Sequence, residues 1–415
     1  MNRSLLSLLV GGMVFMGIAV SLAQGKATHP YPGGADADIW VCAGQSNMAG
    51  GGLITRKYKT EPGVMLFNMD GSWIPATEPI NRIFSATAPI IRDRLIAGFG
   101  QENYKKQVAV EKTHPFGWVG PVLFFAKHLV KHTGRKIGLV PCALGSTSMA
   151  DWNPDLKSKG DGSLYGNMIE RIAMVGGKIK GLIWYQGEGE TGPGLQEPFE
   201  KTWLNFVDSV RQDMGISDLP IIYVQISRYC IDIGADYGLA WEAIREKQRT
   251  AADKRKNLFV VPAIDLPLDD LIHIGAAGHE RLGKRMAEVT LDKVYGITGH
   301  ATAIDYDSCE ILPALDVLHN RLRVRFKGVN GKLQAQGRPS GFTLRSKEPH
   351  KDGPMAFKVE FDPKDPCSVI IWYSKPIEKP VFLFYGAGLD PYTNIVDSKD
   401  MAVPAFGPIT LEPKR

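Results

Sequence analysis

The sequence has little of several features that would define a protein class. Its 415 residues include only five cysteines, too few for a fold built on disulfides. Beyond Leu22 no apolar run is long enough to span a bilayer. Basic and acidic residues nearly balance at 49 and 44, so the net charge of +5 does not indicate a nucleic-acid-binding protein. Neither a tandem repeat nor a low-complexity tract is present, and the composition is that of a globular protein.

Several functional motifs are also missing. No glycine-rich phosphate loop follows a predicted strand, and there is no Walker-type sequence. The Gly-x-Ser-x-Gly turn of conventional α/β-hydrolases is absent as well. Nucleotide binding and the usual hydrolase nucleophile turn are therefore disfavoured.

The amino terminus has the layout of an export signal. Arg3 precedes an apolar run from Leu5 to Leu22, and small residues flank Leu22 before a cleavage point after Ala23. We predict a signal peptide over residues 1–23, with an uncleaved membrane anchor as the alternative. Cleavage would leave a soluble protein, secreted or periplasmic, without a membrane span. Its cysteines would then face an oxidising compartment, and their pairing is not readable from the sequence.

Residues 24–297 alternate between short apolar runs and amphipathic segments. This alternation predicts an α/β fold, a three-layer sandwich with a central parallel sheet. The stretch from Gln101 to Pro115 is polar, and we predict a loop over the sheet there. The predicted strands are Ile39 to Ala43, Val64 to Phe67, Ile137 to Pro141, Gly181 to Tyr185, Ile221 to Ile226 and Phe259 to Ile264. The predicted helices are Pro121 to His132, Phe199 to Met214, Leu239 to Lys254 and Ala277 to Val294.

The texture changes in residues 298–415. Segments such as Leu322 to Phe326 and Ser368 to Tyr373 are short, β-prone and bounded by turn residues. They predict a smaller all-β domain, a sandwich. It either packs against the α/β domain or binds sugar independently, and the first interpretation is favoured.

A serine follows the first predicted strand directly, in Gly44-Gln45-Ser46-Asn47-Met48-Ala49-Gly50. Ligands of such sheets bind at the carboxyl ends of the strands. Backbone N–H groups at a helix start would favour developing negative charge there. Ser46 is therefore a candidate nucleophile, although a helix-capping serine is the common alternative.

A nucleophilic serine needs a base and a group that orients the base. Asp270 and His273 are three residues apart after the last predicted strand, close enough for the carboxylate to bond one imidazole nitrogen. Asp269, next to Asp270, is the alternative carboxylate to face His273, although the spacing favours Asp270. Donors for an oxyanion are offered by the backbone at Gly145 and the side chain of Gln186, each after another strand; simple turn chemistry is the alternative for both.

No metal or other cofactor is expected. His128 and His132 are four residues apart on a predicted helix, as metal ligands can be, but lysines flank them and a solvated basic face is the favoured interpretation. His279 is predicted to be a surface residue of the last helix. Glu188 and Glu190 have no histidine or cysteine beside them.

Together the sequence Gly-Gln-Ser-Asn-Met-Ala-Gly at 44–50, Trp-Tyr-Gln-Gly-Glu at 184–188 and Asp-x-x-His at 270–273 resemble the SGNH hydrolase superfamily. Within it they are similar to the sialate O-acetylesterases and to the acetylxylan esterases of carbohydrate esterase family 6. The stretches at 117–121, 137–142, 382–386 and 404–406 also resemble that group.

The resemblance implies roles for individual residues. Ser46 would be the nucleophile, His273 the base and Asp270 its orienting partner. The N–H groups of Ser46 and Gly145 and the amide of Gln186 would form the oxyanion hole. We expect supporting or substrate-binding positions at Gln45, Asn47, Glu188, Trp118, Trp152 and Tyr185, with the three aromatic residues either stacking on sugar rings or belonging to the core.

The resemblance implies a secreted serine esterase that removes O-acetyl groups from carbohydrates through an acetyl-enzyme on Ser46. Two alternatives remain at this stage. One is a carbohydrate-binding protein that has lost catalysis. The other is a serine hydrolase of the same fold that acts on other esters, such as a lipase or a thioesterase. The acetylated sugar and the oligomeric state are not readable from the sequence.

Overall fold

The computed structural model describes residues 27–34, 36–113, 117–316, 319–347 and 353–413. The signal peptide predicted over residues 1–23 lies outside these ranges. Among the described residues, no helix combines the length and the apolar composition that a bilayer crossing requires.

A seven-stranded sheet forms the centre of the first part of the chain, in the order β3-β2-β4-β1-β5-β6-β7. Its strands are β1 (Asp38–Gly44), β2 (Val64–Phe67), β3 (Trp73–Pro75), β4 (Ile137–Pro141), β5 (Gly181–Tyr185), β6 (Ile221–Gln225) and β7 (Leu258–Pro262). All neighbours pair in parallel except β3, which runs antiparallel to β2 at one edge. The six predicted strands are present to within two residues, because strands covered on both faces are apolar throughout.

Helices connect the strands. They are α1 (Ser46–Ala49), α2 (Pro89–Phe99), α3 (Gln101–Thr113), α4 (Val122–Thr133), α5 (Leu164–Met174), α6 (Phe199–Met214), α7 (Ala235–Ala251) and α8 (Ala276–Lys293). Short 3₁₀ turns lie at Ile83–Ser85, Pro154–Gly162, Glu188–Glu190 and Ala252–Lys254. Helices α4 and α6 each end at a glycine in the left-handed region, Gly134 and Gly215, where a side chain would be strained. The predicted α/β class is confirmed.

The prediction of a loop from Gln101 to Pro115 is wrong. The structure has helix α3 over Gln101–Thr113, and residues 114–116 lie outside the described ranges. Its sequence is rich in good helix formers but lacks a wide apolar face. Among its described apolar side chains, Tyr104 and Val108, four residues apart, pack against the core, and the Glu111 side chain is buried as well. So narrow a contact leaves a weak periodic signal.

The second part of the chain consists of antiparallel strands. They are β8 (Asp305–Leu312), β9 (Asn320–Lys327), β10 (Leu333–Ala335), β11 (Phe342–Ser346), β12 (Ala356–Phe361), β13 (Ser368–Tyr373), β14 (Val381–Tyr385), β15 (Ile395–Asp397) and β16 (Phe406–Leu411). They form sheets in the orders β12-β13-β9-β8, β11-β14-β16 and β10-β15. The predicted β domain after the α/β domain is thus present.

Buried polar contacts join the β domain to α7 and β6. The Arg245 guanidinium donates to the carbonyl oxygens of Gly388 at 2.6 Å and Leu389 at 3.2 Å. The Gln225 carboxamide exchanges two 2.8 Å hydrogen bonds with the backbone of Ala405. Since buried polar groups are costly to leave unpaired, these contacts fix the β domain against the α/β domain.

All five cysteines lie in the described ranges, and none forms a disulfide. Cys42 and Cys142 lie on adjacent strand ends in the core, where burial raises the pKa of the Cys142 thiol to about 11. These two thiols are therefore protonated core residues.

Candidate active site

Ser46 lies at the carboxyl end of the central strand, as the first residue of the four-residue helix α1. The preceding Gly44 has a φ of 132°, and a Cβ there would be 2.1 Å from the carbonyl oxygen of Tyr185. Glycine thus allows β1 to turn sharply against the end of β5. Within the described residues, the Ser46 N–H donates to no other protein group. The half-buried serine therefore lies beside an available donor.

The parallel register brings the loops after β4 and β5 to the same sheet edge. Cys42 aligns with Pro141, and Gly44 aligns with Tyr185. In the loop after β4, a Cβ on Gly145 would be 3.6 Å from the Ser46 Cβ. The N–H of Gly145 has no protein acceptor among the described residues. Ser46 and Gly145 are therefore neighbours with two available backbone donors, which are the groups that an oxyanion hole would need.

Asp270 and His273 form a hydrogen-bonded pair after β7. The Asp270 Oδ2 atom is 2.7 Å from His273 Nδ1, and Oδ1 accepts from the backbone N–H groups of Ile272 and His273. Burial alone would raise the pKa of the Asp270 carboxyl, but these hydrogen bonds lower it below its usual value. Asp270 therefore remains an anion that orients the imidazole and leaves Nε2 free of this contact.

Asp269, the neighbouring carboxylate, has different partners. Its Oδ2 atom accepts from the N–H of Leu53 at 2.9 Å. Its own N–H donates to the carbonyl oxygen of His273. The structure therefore answers the question that the sequence left open: Asp270 faces the imidazole and Asp269 braces the loop.

The side chain of Asn47 connects the Ser46 turn to the His273 loop. Its Oδ1 accepts from the N–H of Ile274 at 3.0 Å, and its Nδ2 donates to the carbonyl oxygen of Ile272 at 3.3 Å. These two partners flank His273 on both sides. Asn47 is thus a positioning residue that sets His273 next to the serine turn.

Two hydrogen bonds join the loop after β5 to the Ser46 turn. Glu188 Oε1 accepts from Asn47 Nδ2 at 2.8 Å, and Gln45 Oε1 accepts from the N–H of Gly189 at 3.2 Å. Burial raises the pKa of Glu188, although the hydrogen bond from Asn47 lowers it. Hydrogen bonds therefore join the expected supporting positions Gln45 and Asn47, on either side of Ser46, to the loop that carries Glu188.

Gln186, the third expected oxyanion donor, is fully buried at the same sheet edge. Its Nε2 atom donates to the carbonyl oxygen of Thr147 at 3.2 Å and to the carboxylate of Glu190. Both amino hydrogens are engaged in this arrangement. The role of Gln186 toward an oxyanion stays a prediction, because one of these bonds would have to be exchanged.

Glu190 is a residue of the site that sequence reasoning undervalued. It receives hydrogen bonds from Gln186 and from the N–H of Met149, and burial raises its pKa to about 7. It thereby ties the loop after β5 to the loop after β4. In the sequence, Glu190 was considered only as a metal ligand and set aside because no histidine or cysteine lies beside it. Nothing in the sequence indicates that it joins two loops.

The three aromatic candidates separate into two environments. Trp152 and Tyr185 are fully buried, so they belong to the core and do not stack on a ligand. Trp118 is 45% exposed. It lines a cavity of about 110 Å³ beside the imidazole, together with Gly51, Leu53, Asp269, Asp270 and His273.

Gly51 and Gly52 leave the space in which His273 and the start of α8 lie. A Cβ on Gly51 would be 2.4 Å from the His273 Cβ, and a Cβ on Gly52 would be 2.4 Å from the N atom of Ala276. The Gly50-Gly51-Gly52 run in the sequence was a signal for such a close approach.

Two predictions about other histidines are wrong. His279 is fully buried in α8 instead of exposed, because its side of the helix faces the protein interior. Burial lowers the pKa of His279 to about 3, so the ring is neutral. Of the pair predicted to lie on a solvated basic face, His132 is exposed, but His128 is not on such a face; its Nε2 atom is 2.6 Å from Glu288 of α8. Only a structure brings that carboxylate, 160 residues away, to the histidine.

Comparison with known proteins extends the geometric picture. The model of the family described as carbohydrate esterase, sialic acid-specific acetylesterase matches residues 36–292. A probable carbohydrate esterase of Arabidopsis thaliana is 29% identical over 262 residues, which are 61% of this chain and 90% of the relative.

A solved structure shares the fold over both parts of the chain. A carbohydrate acetylesterase from Xanthomonas citri superposes with a TM-score of 0.63 at 20% identity, covering 89% of this chain and 80% of that one. The α/β domain and the antiparallel sheets after it therefore occur together in another protein.

Proposed function

The chain belongs to the sialic acid-specific acetylesterase family of carbohydrate esterases, and from this we propose that it removes O-acetyl groups from a carbohydrate through an acetyl-enzyme on Ser46. The family is one of carboxylic ester hydrolases that act on acetylated carbohydrates. The observation that carries the serine mechanism is the Asn47 side chain, which bonds both neighbours of His273 while following Ser46 directly in the chain.

In this mechanism Ser46 Oγ attacks the acetyl carbonyl carbon and its proton passes to His273 Nε2. The carbonyl oxygen becomes an oxyanion that accepts from the N–H groups of Ser46 and Gly145. The intermediate collapses, the sugar oxygen takes the proton from His273 and leaves as a hydroxyl, and the acetyl group stays on Ser46. A water molecule then gives a proton to His273 and attacks the acetyl-enzyme; the new intermediate collapses, His273 returns the proton to Ser46 Oγ, and acetate is released. Asp270 stabilises the imidazolium in both steps.

The cavity beside His273 supports a short acyl group on a sugar. Its volume of about 110 Å³ is well below the ~300–1,000 Å³ of pockets that enclose drug-sized ligands. The exposed Trp118 and Leu53 at its rim offer apolar surface for one face of a sugar ring. A cavity of this size cannot enclose a long acyl chain. The proposed export through the residue 1–23 signal would place this activity outside the cytoplasm.

The direct test compares wild-type protein with Ser46→Ala in an acetate-release assay on a panel of acetylated sugars. The variant should lose at least ~10³-fold in kcat, because the nucleophile is removed, while its Tm stays close to that of the wild type. A phosphonate probe that reacts with activated serines should label Ser46 in the wild type only.

Other results would favour the alternatives. Sugar binding without probe labelling or turnover would indicate a binding protein that has lost catalysis. Faster hydrolysis of long-chain esters than of acetates would indicate a different serine hydrolase on the same fold. Undiminished acetate release by Ser46→Ala would refute the acetyl-enzyme itself.

A further inference from the structure

Four side chains meet where α4 and α8 pack together, away from Ser46. His128 and His132 lie one turn apart on α4, Glu288 lies on α8, and His300 lies between α8 and β8. Glu288 Oε1 is 2.6 Å from His128 Nε2, and Oε2 is 3.0 Å from His300 Nδ1. The ligand atoms of His128, His132 and Glu288 all lie within 4.8 Å of one another.

We propose that this cluster binds one divalent transition-metal ion, with Zn²⁺ as the best match. The ligands would be the imidazoles of His128 and His132 and the carboxylate of Glu288. Two imidazoles with one carboxylate is a set that zinc accepts, and water would take the fourth position. The proposal revises the expectation of no metal, which rested on the residues near the two histidines in sequence.

The histidine packing supports a shared cation. The ring of His132 lies 4.4 Å from the ring of His128 and 4.8 Å from that of His300, between centroids. Within the described residues the His132 ring has these imidazoles beside it but no hydrogen-bond acceptor. Protonated imidazoles at such distances would repel one another. A cation bound between neutral imidazoles would instead be attracted by the ring lone pairs of both His128 and His132.

The other hydrogen bonds of Glu288 hold its carboxylate in place, as the residues around the ligands of a metal site do. Glu288 Oε2 accepts from the N–H of Ala301 at 2.9 Å in addition to its contact with His300. Such partners fix ligand orientation and raise metal affinity. Oε1 and His128 Nε2 are free for the ion once the hydrogen between them has left: a neutral ring then carries its hydrogen on Nδ1, and an imidazolium releases one proton to solvent.

The geometry needs only small side-chain motions. Tetrahedral zinc places its nitrogen and oxygen ligands about 2.0–2.2 Å from the ion, hence roughly 3.4 Å from one another. The 2.6 Å contact between His128 and Glu288 must open, and His132 must move inward. His132 is exposed, so its side chain has room to rotate.

The site is separate from the proposed catalytic residues. Glu288 lies twelve residues beyond Ala276, the start of α8, which is about 18 Å along the helix axis. An ion there would clamp α4, α8 and the segment that leads to the β domain. We therefore expect it to stabilise the fold without entering the ester chemistry.

The test uses full-length protein treated with a chelator and then freed of it. Titration calorimetry with ZnCl₂ should show one ion per chain, and Zn²⁺ should raise the Tm. Co²⁺ should give the visible absorption of a nitrogen- and oxygen-ligated ion. His132→Ala, at an exposed position, should weaken Zn²⁺ binding at least ~10-fold, and His300→Ala about 10-fold through its lost contact with Glu288.

His319→Ala is the matched control, because His319 is an exposed histidine beside an aspartate in the β domain. It should bind Zn²⁺ like the wild type. Absence of stoichiometric binding, or equal binding by wild type and His132→Ala, would overturn the proposal. Acetate release by chelator-treated wild type should be unchanged. A loss of activity that Zn²⁺ restores would contradict the purely stabilising role of the ion. Neither result affects the Ser46→Ala test of the proposed function.

Discussion

The carboxamide of Asn47 lies 2.8 Å from the buried carboxylate of Glu188, between Nδ2 and Oε1. This contact joins residues 141 positions apart and fixes the rotation of the carboxamide. With that rotation fixed, Asn47 Oδ1 points to the N–H of Ile274, next to His273. A residue outside the proposed triad thus helps to determine where the His273 imidazole lies.

Replacing Asn47 with alanine should damage both stability and turnover. The free energy of unfolding should fall by about 1–3 kcal/mol, because Glu188 and the Ile274 N–H lose a buried partner. The kcat/KM for acetate release should fall as His273 loses its positioning contacts. Urea unfolding and steady-state kinetics measure the two effects.

Asn153→Ala serves as the control for that variant. Asn153 caps a 3₁₀ turn by accepting from the N–H of Asp155, and its hydrogen bonds stay within residues 150–156, without a contact to Ser46 or His273. It should lose about 1 kcal/mol of stability and no activity. If Asn47→Ala turned over substrate like the wild type, Asn47 would not be needed to position His273.

The adjacent aspartates should respond differently to amidation. Asp270→Asn should lower kcat by about 10⁴-fold, because the amide cannot stabilise the imidazolium or hold its tautomer. Asp269→Asn should lose less than about tenfold, in line with one weakened hydrogen bond to Leu53. Kinetics of both variants on one acetylated sugar decide the matter. Equal losses would mean that the carboxylate at 270 has no special relation to His273.

The close approach of Gly51 to His273 predicts a selective defect. A Cβ at Gly51 would overlap the His273 Cβ at 2.4 Å, so Gly51→Ala should displace the imidazole and lower kcat/KM about 10²-fold. Gly98→Ala is the control: it lies in α2 with nothing within 4 Å of the new atom, and it should stabilise the protein by about 0.5–1 kcal/mol. Full activity in Gly51→Ala would show that the loop yields freely.

Glu190 should impose a pH dependence on stability. Burial raises its pKa from 4.5 to about 7 in the folded state, so the native protein binds a proton that the unfolded chain releases between these values. The free energy of unfolding should therefore fall as pH rises from 4.5 to 7, by up to about 3 kcal/mol from this residue. Urea unfolding across this range should show a smaller decline for Glu190→Gln. Parallel curves for the two proteins would exclude Glu190 as the source.

Much of the architecture is visible in the sequence. The parallel strands are buried on both faces and therefore appear as uninterrupted apolar runs, and Ser46 follows the first of them. Asp270 and His273 are close in sequence, so their pairing is a local event.

The features that escaped prediction depend on distant partners. Among the described side chains of helix α3, the apolar ones that pack against the core are Tyr104 and Val108, too narrow a face for a periodic signal. The burial of His279 depends on what covers α8, and the contact between His128 and Glu288 joins two helices far apart in the chain. The engagement of Gln186 by Glu190 depends on the shape of a single loop.

The position of Ser46 just after the first strand of the sheet has a consequence for synthesis. Asn47 and Ile274, which bond to each other, are separated by 227 residues, and the last strand of the sheet lies between them in the chain. During synthesis the serine is therefore made long before the histidine. If the proposed mechanism holds, esterase activity requires the whole α/β domain to be made and closed, and turnover would then be a measure of completed folding.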